Sequence, residues 1–368
     1  MGLTPVGADE LPVHQAPLSL ARVATSDRNF YDRCYLNAHD RTGDIFFITG
    51  MGFYPNLGVR DAYATVRAGD RQVSLRLSDA LDERSIEQRV GPYRIEVVEP
   101  LRRLRLTCDH PDLGFDLTWE GSFPAVLEQP HVMLTGNRPT LDAQRFAQVG
   151  TWSGVLSVDG TDHDVSPDRW VGTRDRSWGI RPVGDADPAG RSADEPNDGF
   201  WWLYVPLRFD DFAVVLVLQE TPDGFRTLND AVRIDASGQI EQLGWPHVDI
   251  EYRPGTRHPV RARIDLTRRD GRAMTLDVEP LGFVALHVGC GYGGDPEWSH
   301  GQWLGRDHAS IHRYDHADAD VANRVPWGVL DHVARATCDG QVGYGLFEHA
   351  GLGRHDPSGF ADWFAVSG

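Results

Sequence analysis

Trp170-Val-Gly-Thr-Arg-Asp-Arg-Ser-Trp-Gly-Ile-Arg-Pro182 decides how the rest of the chain is read. It is rich in β-compatible residues and ends at a proline. In an extended strand, successive side chains point to opposite faces. Asp175 and Ser177 then share one face, and Arg174, Arg176 and Trp178 the other. Two readings of Asp175 stay open. On the inner wall of a β-barrel its carboxyl is desolvated, which raises its pKa and lets it hold a proton. Alternatively, the strand is purely structural and the carboxylate pairs with its neighbouring arginines. In either reading Arg174 and Arg176 are structural candidates that tie the strand to another element.

Strand signals continue on both sides of this stretch. Asp44–Thr49, Ala62–Arg67, Gln72–Leu77, Tyr93–Val98 and Leu101–Thr107 mostly alternate apolar with polar residues, the pattern of half-buried antiparallel strands. Turn signals separate such runs, among them Ala68-Gly-Asp70, Asp159-Gly160, Asp270-Gly271 and Asp339-Gly340. Short helices are expected only near Ser78–Gln88 and Asp142–Gln148. The Pro-, Gly- and Asp-rich run from Val183 to Gly199 reads as a linker, followed at once by the aromatic strand Phe200-Trp-Trp-Leu-Tyr-Val-Pro-Leu207. The expected organisation is an N-terminal extension (1–24), an N-terminal β-barrel domain (25–184), a linker (185–198) and a C-terminal β-barrel domain (199–368).

Composition narrows the chemistry. The net charge of −18 disfavours nucleic acid and anionic membrane surfaces as partners. All 36 basic residues are arginine. Without lysine there is no Schiff-base chemistry, no pyridoxal phosphate enzyme of the usual kind and no Walker-type phosphate loop. The 4 cysteines form no CxxC pair, so they are expected to be reduced and buried. The longest aliphatic and aromatic run, Phe212–Leu218, is a buried strand too short to span a bilayer. The first residues carry no signal-peptide pattern, and a cytoplasmic location is expected. A homodimer is compatible with all of this.

Several constellations could carry chemistry. Gly343-Tyr-Gly-Leu-Phe-Glu-His-Ala-Gly351 places Tyr344, Leu346 and Glu348 on one strand face, and a carboxyl in such apolar surroundings suits acid–base work. The alternative is an exposed Glu348 on a solvent face. Trp201, Trp202 and Tyr204 can form either an apolar cavity wall or ordinary core. Asn29–Arg33, with Tyr31, Tyr35 and His39, is a third aromatic and polar mixture. His308, His312 and His316 recur every four residues, but on a strand that spacing spans about 13 Å, too far for one ion. Gly289-Cys-Gly-Tyr-Gly-Gly294 matches GxGxxG without a following helix and reads as a turn. No metal and no cofactor are expected.

Trp170-x-Gly172-x-Arg174-Asp-Arg-Ser-Trp-Gly179, a Pro/Asp-rich break and Gly199-Phe-Trp-Trp-Leu-Tyr204 together resemble the AttH-like, carotenoid 1,2-hydratase (hydroxyneurosporene synthase-like) superfamily. Asp175 and Trp178 match its Asp-His-Glu-Trp-like strand. Gly199 and Trp202 match its Gly-Trp-Asp-Trp-Phe-like strand, whose aspartate position carries a tryptophan here. Gly345-Leu-Phe-Glu348 is similar to its closing strand. The resemblance spans roughly residues 25–360. It implies an all-β protein of two tandem lipocalin-like (calycin-like) antiparallel barrels around a hydrophobic, terpenoid-like small molecule. It also implies a cofactor-independent lyase or isomerase of hydratase, dehydratase or cyclase type. Asp175 is then the acid and Glu348 completes the proton relay. Trp202, Tyr204, Tyr344, Trp178, Tyr31 and Tyr35 are the candidate substrate-binding residues. A non-catalytic carrier of a hydrophobic molecule and a carbohydrate-active β-sandwich remain as alternatives.

Overall fold

The computed structural model describes residues 4–14, 22–82, 86–135, 137–184, 198–293 and 295–368. The expected linker lies outside the described residues except for Asp198. Strands dominate, and every pairing between them is antiparallel. The first sheet runs, in spatial order, Arg71–Ala80, Val59–Ala68, Ile45–Tyr54, Phe30–His39, Val171–Ile180, Arg138–Val158, Leu113–Gly121, Arg103–Cys108, Tyr93–Glu99 and Gln88–Val90. Gln88–Val90 packs back against Val59–Ala68 and Arg71–Ala80, which curls the sheet round its own core. The second sheet runs from Ile240–Gln242 through Arg226–Asp235, Phe212–Glu220, Gly199–Arg208, Gln341–Gly353, Leu330–Cys338, Ala273–Ala285 and Pro259–Thr267 to Gly244–Tyr252. The protein is thus all-β, with two tandem lipocalin-like barrels. No helix among the described residues is long and apolar enough to cross a membrane.

Three differences from expectation have physical causes. Asp142–Gln148 is not helical; it lies inside the 21-residue strand Arg138–Val158, which pairs over Asp142–Thr151 with Val171–Ile180. Cross-strand pairing outweighs the weak helical preference of so short a run. The described residues of Ser78–Gln88 are not helical either: its ends belong to Arg71–Ala80 and Gln88–Val90, and residues 83–85 lie outside the described set. His308–Asp315, from the C-terminal half, crosses over to pair with Arg71–Ala80 at the edge of the first sheet. Covering an edge in this way removes a row of unpaired backbone groups.

Each barrel has an interior core. The first contains Leu75, Leu77, Tyr93, Leu106, Leu117, Trp119, Trp152 and Trp170; the second contains Leu203, Leu207, Leu216, Ile264, Leu276 and Phe347. A third cluster lies between the barrels, joining Tyr35, Phe46, Ile48 and Tyr63 to Trp202, Tyr204, Val215, Val217 and Leu346. Strands at this seam are therefore buried on both faces, and all ten residues of Phe30–His39 are buried.

One close approach pins the register of the central strands. A Cβ on Gly172 would lie 1.9 Å from the Asn37 carbonyl oxygen. That same oxygen accepts a 2.8 Å hydrogen bond from Trp152 Nε1, while the Asn37 side chain bonds the Thr173 backbone N–H and hydroxyl. Gly172→Ala is expected to cost about 3 kcal/mol, the upper end for overpacking. Denaturant unfolding checks this; a loss below about 1 kcal/mol contradicts the tight packing.

Candidate functional site

The strand Val171–Ile180 alternates as expected, but its faces are assigned the other way round. Arg174 and Arg176 point towards the interior of the first barrel, where the Arg174 guanidinium lies 5.8 Å from the Trp119 ring centroid. Arg174 pairs with Glu10, and Arg176 pairs with Asp32 at 2.7 Å. Asp175 instead points out of its own barrel, towards the second one. Alternation specifies which residues share a face; only packing of the second barrel buries the outer one.

There Asp175 meets a cavity of about 160 Å³ lined from both barrels. Tyr31, Arg33, Tyr35, Asp175 and Ser177 come from the first sheet; Phe200, Trp202 and Glu348 come from the second, with Leu286 just beyond its strand Ala273–Ala285. Register explains the convergence. Asp175 lies opposite Tyr35 on one side and Ala147 on the other. Glu348 lies opposite Tyr204 and, on its other flank, Asp331.

The electrostatics favour protonated carboxyls. Asp175 is half-buried and lines the cavity. Its pKa is pushed up to about 6, chiefly by burial, with Glu348 adding to the rise and Arg145, Arg33 and Arg181 opposing it. Burial likewise raises Glu128 to about 7 against its 2.6 Å bond from Arg145 Nε. Burial, then the charge of Glu348, pushes Asp331 well above the usual carboxylate range, although the Tyr35 hydroxyl donates to it at 2.5 Å. His131 is pushed down to about 4 by burial, so it is neutral at neutral pH.

The rings form a wall. Trp202 is nearly parallel to His131, with centroids 5.5 Å apart, and to Phe200 at 6.5 Å. Its Nε1–H donates to Glu348. Of the residues singled out in the sequence, Asp175, Glu348, Trp202, Tyr31 and Tyr35 line this cavity. Tyr204 lies beneath Arg145, its ring centroid 4.6 Å from the guanidinium, and is one layer back from the lining. Trp178 is corrected: it is on the arginine face, stacked on His14 with centroids 3.5 Å apart. Tyr344 is also corrected: it shares the Glu348 face but lies four residues, about 13 Å, along the strand, opposite Arg208.

Glu128, Arg145, His131, Tyr292 and Asp331 were not legible as site residues. Asp331 had the clearest signal, a carboxyl within the apolar run Val329-Leu-Asp-His-Val333. Tyr292 comes from the glycine-rich turn, where Gly289 and Gly291 adopt φ of +85° and +75°.

Comparison with solved structures places the fold. The AttH-like protein NE1406 from Nitrosomonas europaea superposes with a TM-score of 0.57 at 14% identity, over 96% of this chain and 100% of that one. Kievitone hydratase from Nectria haematococca gives 0.49 at 13% identity, over 90% of each chain. CghA in complex with Sch210972 gives 0.49 at 10% identity, over 89% of each chain. No curated protein matches the sequence. The fold is that of the AttH-like, carotenoid 1,2-hydratase-like proteins, as the motifs around Asp175 and Trp202 indicate. Residues 6–361 match the profile of DUF8625, and the chain belongs to this family of unknown function.

Proposed function

We propose that the protein is a cofactor-independent lyase or isomerase, of hydratase, dehydratase or cyclase type, acting on a hydrophobic, terpenoid-like molecule held between the barrels. Asp175 is the proton donor. One observation carries this reading: its carboxyl faces the cavity, receives no hydrogen bond from a described residue, and has a pKa pushed up to about 6. A general acid works best when its pKa lies near the working pH. Protonating an alkene carbon, or a hydroxyl that leaves as water, develops positive charge on the substrate. The faces of Trp202 and Phe200 stabilise that charge through the ring quadrupole. Glu348, hydrogen-bonded by Trp202 and paired across the strands with Asp331, accepts a proton from the adjacent carbon or from the attacking water.

The test is product analysis with a panel of prenyl alcohols and alkenes in D₂O. A product bearing one carbon-bound deuterium is expected from alkenes. Substrate retained by the protein but recovered unchanged and undeuterated across the panel supports the carrier reading instead, in which the same cavity binds without proton transfer.

A further inference from the structure

Among the described residues, four arginines are almost fully buried: Arg33, Arg76, Arg174 and Arg176. Three have a carboxylate partner, namely Glu297, Glu10 and Asp32. Arg33, 5% exposed, forms no ion pair within 4.0 Å among the described residues. Its surroundings are aromatic: the guanidinium lies 4.7 Å from the Tyr292 ring centroid and 5.8 Å from that of Tyr31, and the Tyr54 hydroxyl is a hydrogen-bond partner. Beside it is Arg181, 5.6 Å from the Tyr31 ring centroid and likewise without an ion pair among the described residues. Burial and the charge of Arg33 together draw the Arg181 pKa down.

Both arginines line the cavity of Asp175, and both also line an adjoining chamber of about 440 Å³ bounded by Asn29, Tyr292 and His300. His300 is pushed down to about 4 by burial and by Arg33, so it is neutral there and supplies no counter-charge. Arg33 is buried and Arg181 half-buried, and holding two such like charges side by side with no ion pair among the described residues is costly unless an anion completes the site. Guanidinium groups match carboxylate geometry through paired N–H donors.

We infer that the ligand of this cavity is an amphipathic acid whose carboxylate is held by Arg33 and Arg181 while its apolar body packs on Trp202, Phe200 and Leu286. The inference rests on the ligand-cavity reading above and narrows its substrate class. Arg33 and Arg181 already act on the charge of Asp175, so the acid head would lie within electrostatic reach of the proton donor.

The experiment compares 4-phenylbutyrate with 4-phenylbutan-1-ol by calorimetry at pH 8 on the full chain. The acid is expected to bind at least about tenfold more tightly, as charge-assisted hydrogen bonds require. Arg181→Gln and Arg33→Gln should each reduce that preference several-fold. Because the wild-type comparison needs no variant, a poorly folding Arg33→Gln does not block the test. Equal affinities, or a preference that survives both substitutions, overturn the anion site and leave the hydrophobic-ligand reading intact. Binding of neither compound overturns both.

Discussion

Asp175→Asn is expected to lower turnover by about 10²- to 10⁴-fold, the usual contribution of a positioned general acid, and at the same time to make the protein more stable at pH 8. The sign follows from proton linkage. The folded-state pKa is about 6, whereas an unfolded aspartate titrates near about 3.9. Between these values the native state holds a proton that the unfolded state has released. Stability contributed by this group therefore falls as pH rises through the window and stays low above it. A gap of about two units corresponds to about 3 kcal/mol, an upper bound on the gain that asparagine brings at pH 8. The gain should shrink through pH 5, be small at pH 4 and vanish below about pH 3, where both states of the wild type are protonated. Unfolding curves at pH 4, 6 and 8 for both proteins measure it. Parallel pH profiles would show that Asp175 is already ionised at no cost, which removes the basis for its role as acid. Arg145 does not confound the result, because its closest carboxylate partner is Glu128.

A loss of activity accompanied by a gain in stability separates function from scaffold. A residue retained for folding alone loses stability when its charge is deleted; one retained for chemistry at a desolvated site gains it. On the proposed reading Asp175 is of the second kind and Arg174 of the first, although they are neighbours on one strand.

That contrast also shows how much the chain discloses before its structure is known. The alternation through Trp170–Pro182 separated Asp175 from its arginines correctly, and the aromatic run after the break located Trp202. Both are local properties, set by backbone geometry within one strand. Which face lay inside the barrel was not legible, because the second barrel buries the outer face as completely as the core buries the inner one. Asp331 was missed for a related reason. Its importance comes from lying opposite Glu348, and register between strands depends on pairing that no single segment encodes. Arg145 was hidden in a run with the spacing of a short helix. Trp178 and Tyr344 were assigned to the cavity by motif and by face; a face extends the whole length of a strand, and a cavity does not.

Glu10→Ala is the substitution expected to cost the most stability, about 3–5 kcal/mol, because it strands a buried charge. The sequence suggested that residues 1–24 are an extension appended to the first barrel. Glu10 is instead 3% exposed and inserts into that barrel. Its Oε1 and Oε2 accept from Arg174 Nη1 and Nη2 at 2.5 and 2.8 Å, and Oε2 also accepts from the Leu101 backbone N–H at 2.8 Å. Burial pushes the Glu10 pKa up, but Arg174, the Leu101 amide and Arg176 outweigh it and hold the carboxyl below its ordinary value. A depressed folded-state pKa contributes stability that is present above the unfolded value, about 4.3, and is lost as pH falls through the folded one. The difference between wild type and Glu10→Ala should accordingly narrow in acid. Alanine leaves the Arg174 guanidinium, among the described residues, with Gln148 as its remaining hydrogen-bond partner and no counter-charge. A double substitution, Glu10→Met with Arg174→Met, removes both charges and refills the volume, so it should cost less than Glu10→Ala alone. Burying an ion pair is close to neutral overall, while breaking one is not. Denaturant unfolding of the singles and the double closes a thermodynamic cycle. Additive losses would mean that the two side chains do not depend on each other, and that the N-terminal segment is held to the barrel by something other than this pair.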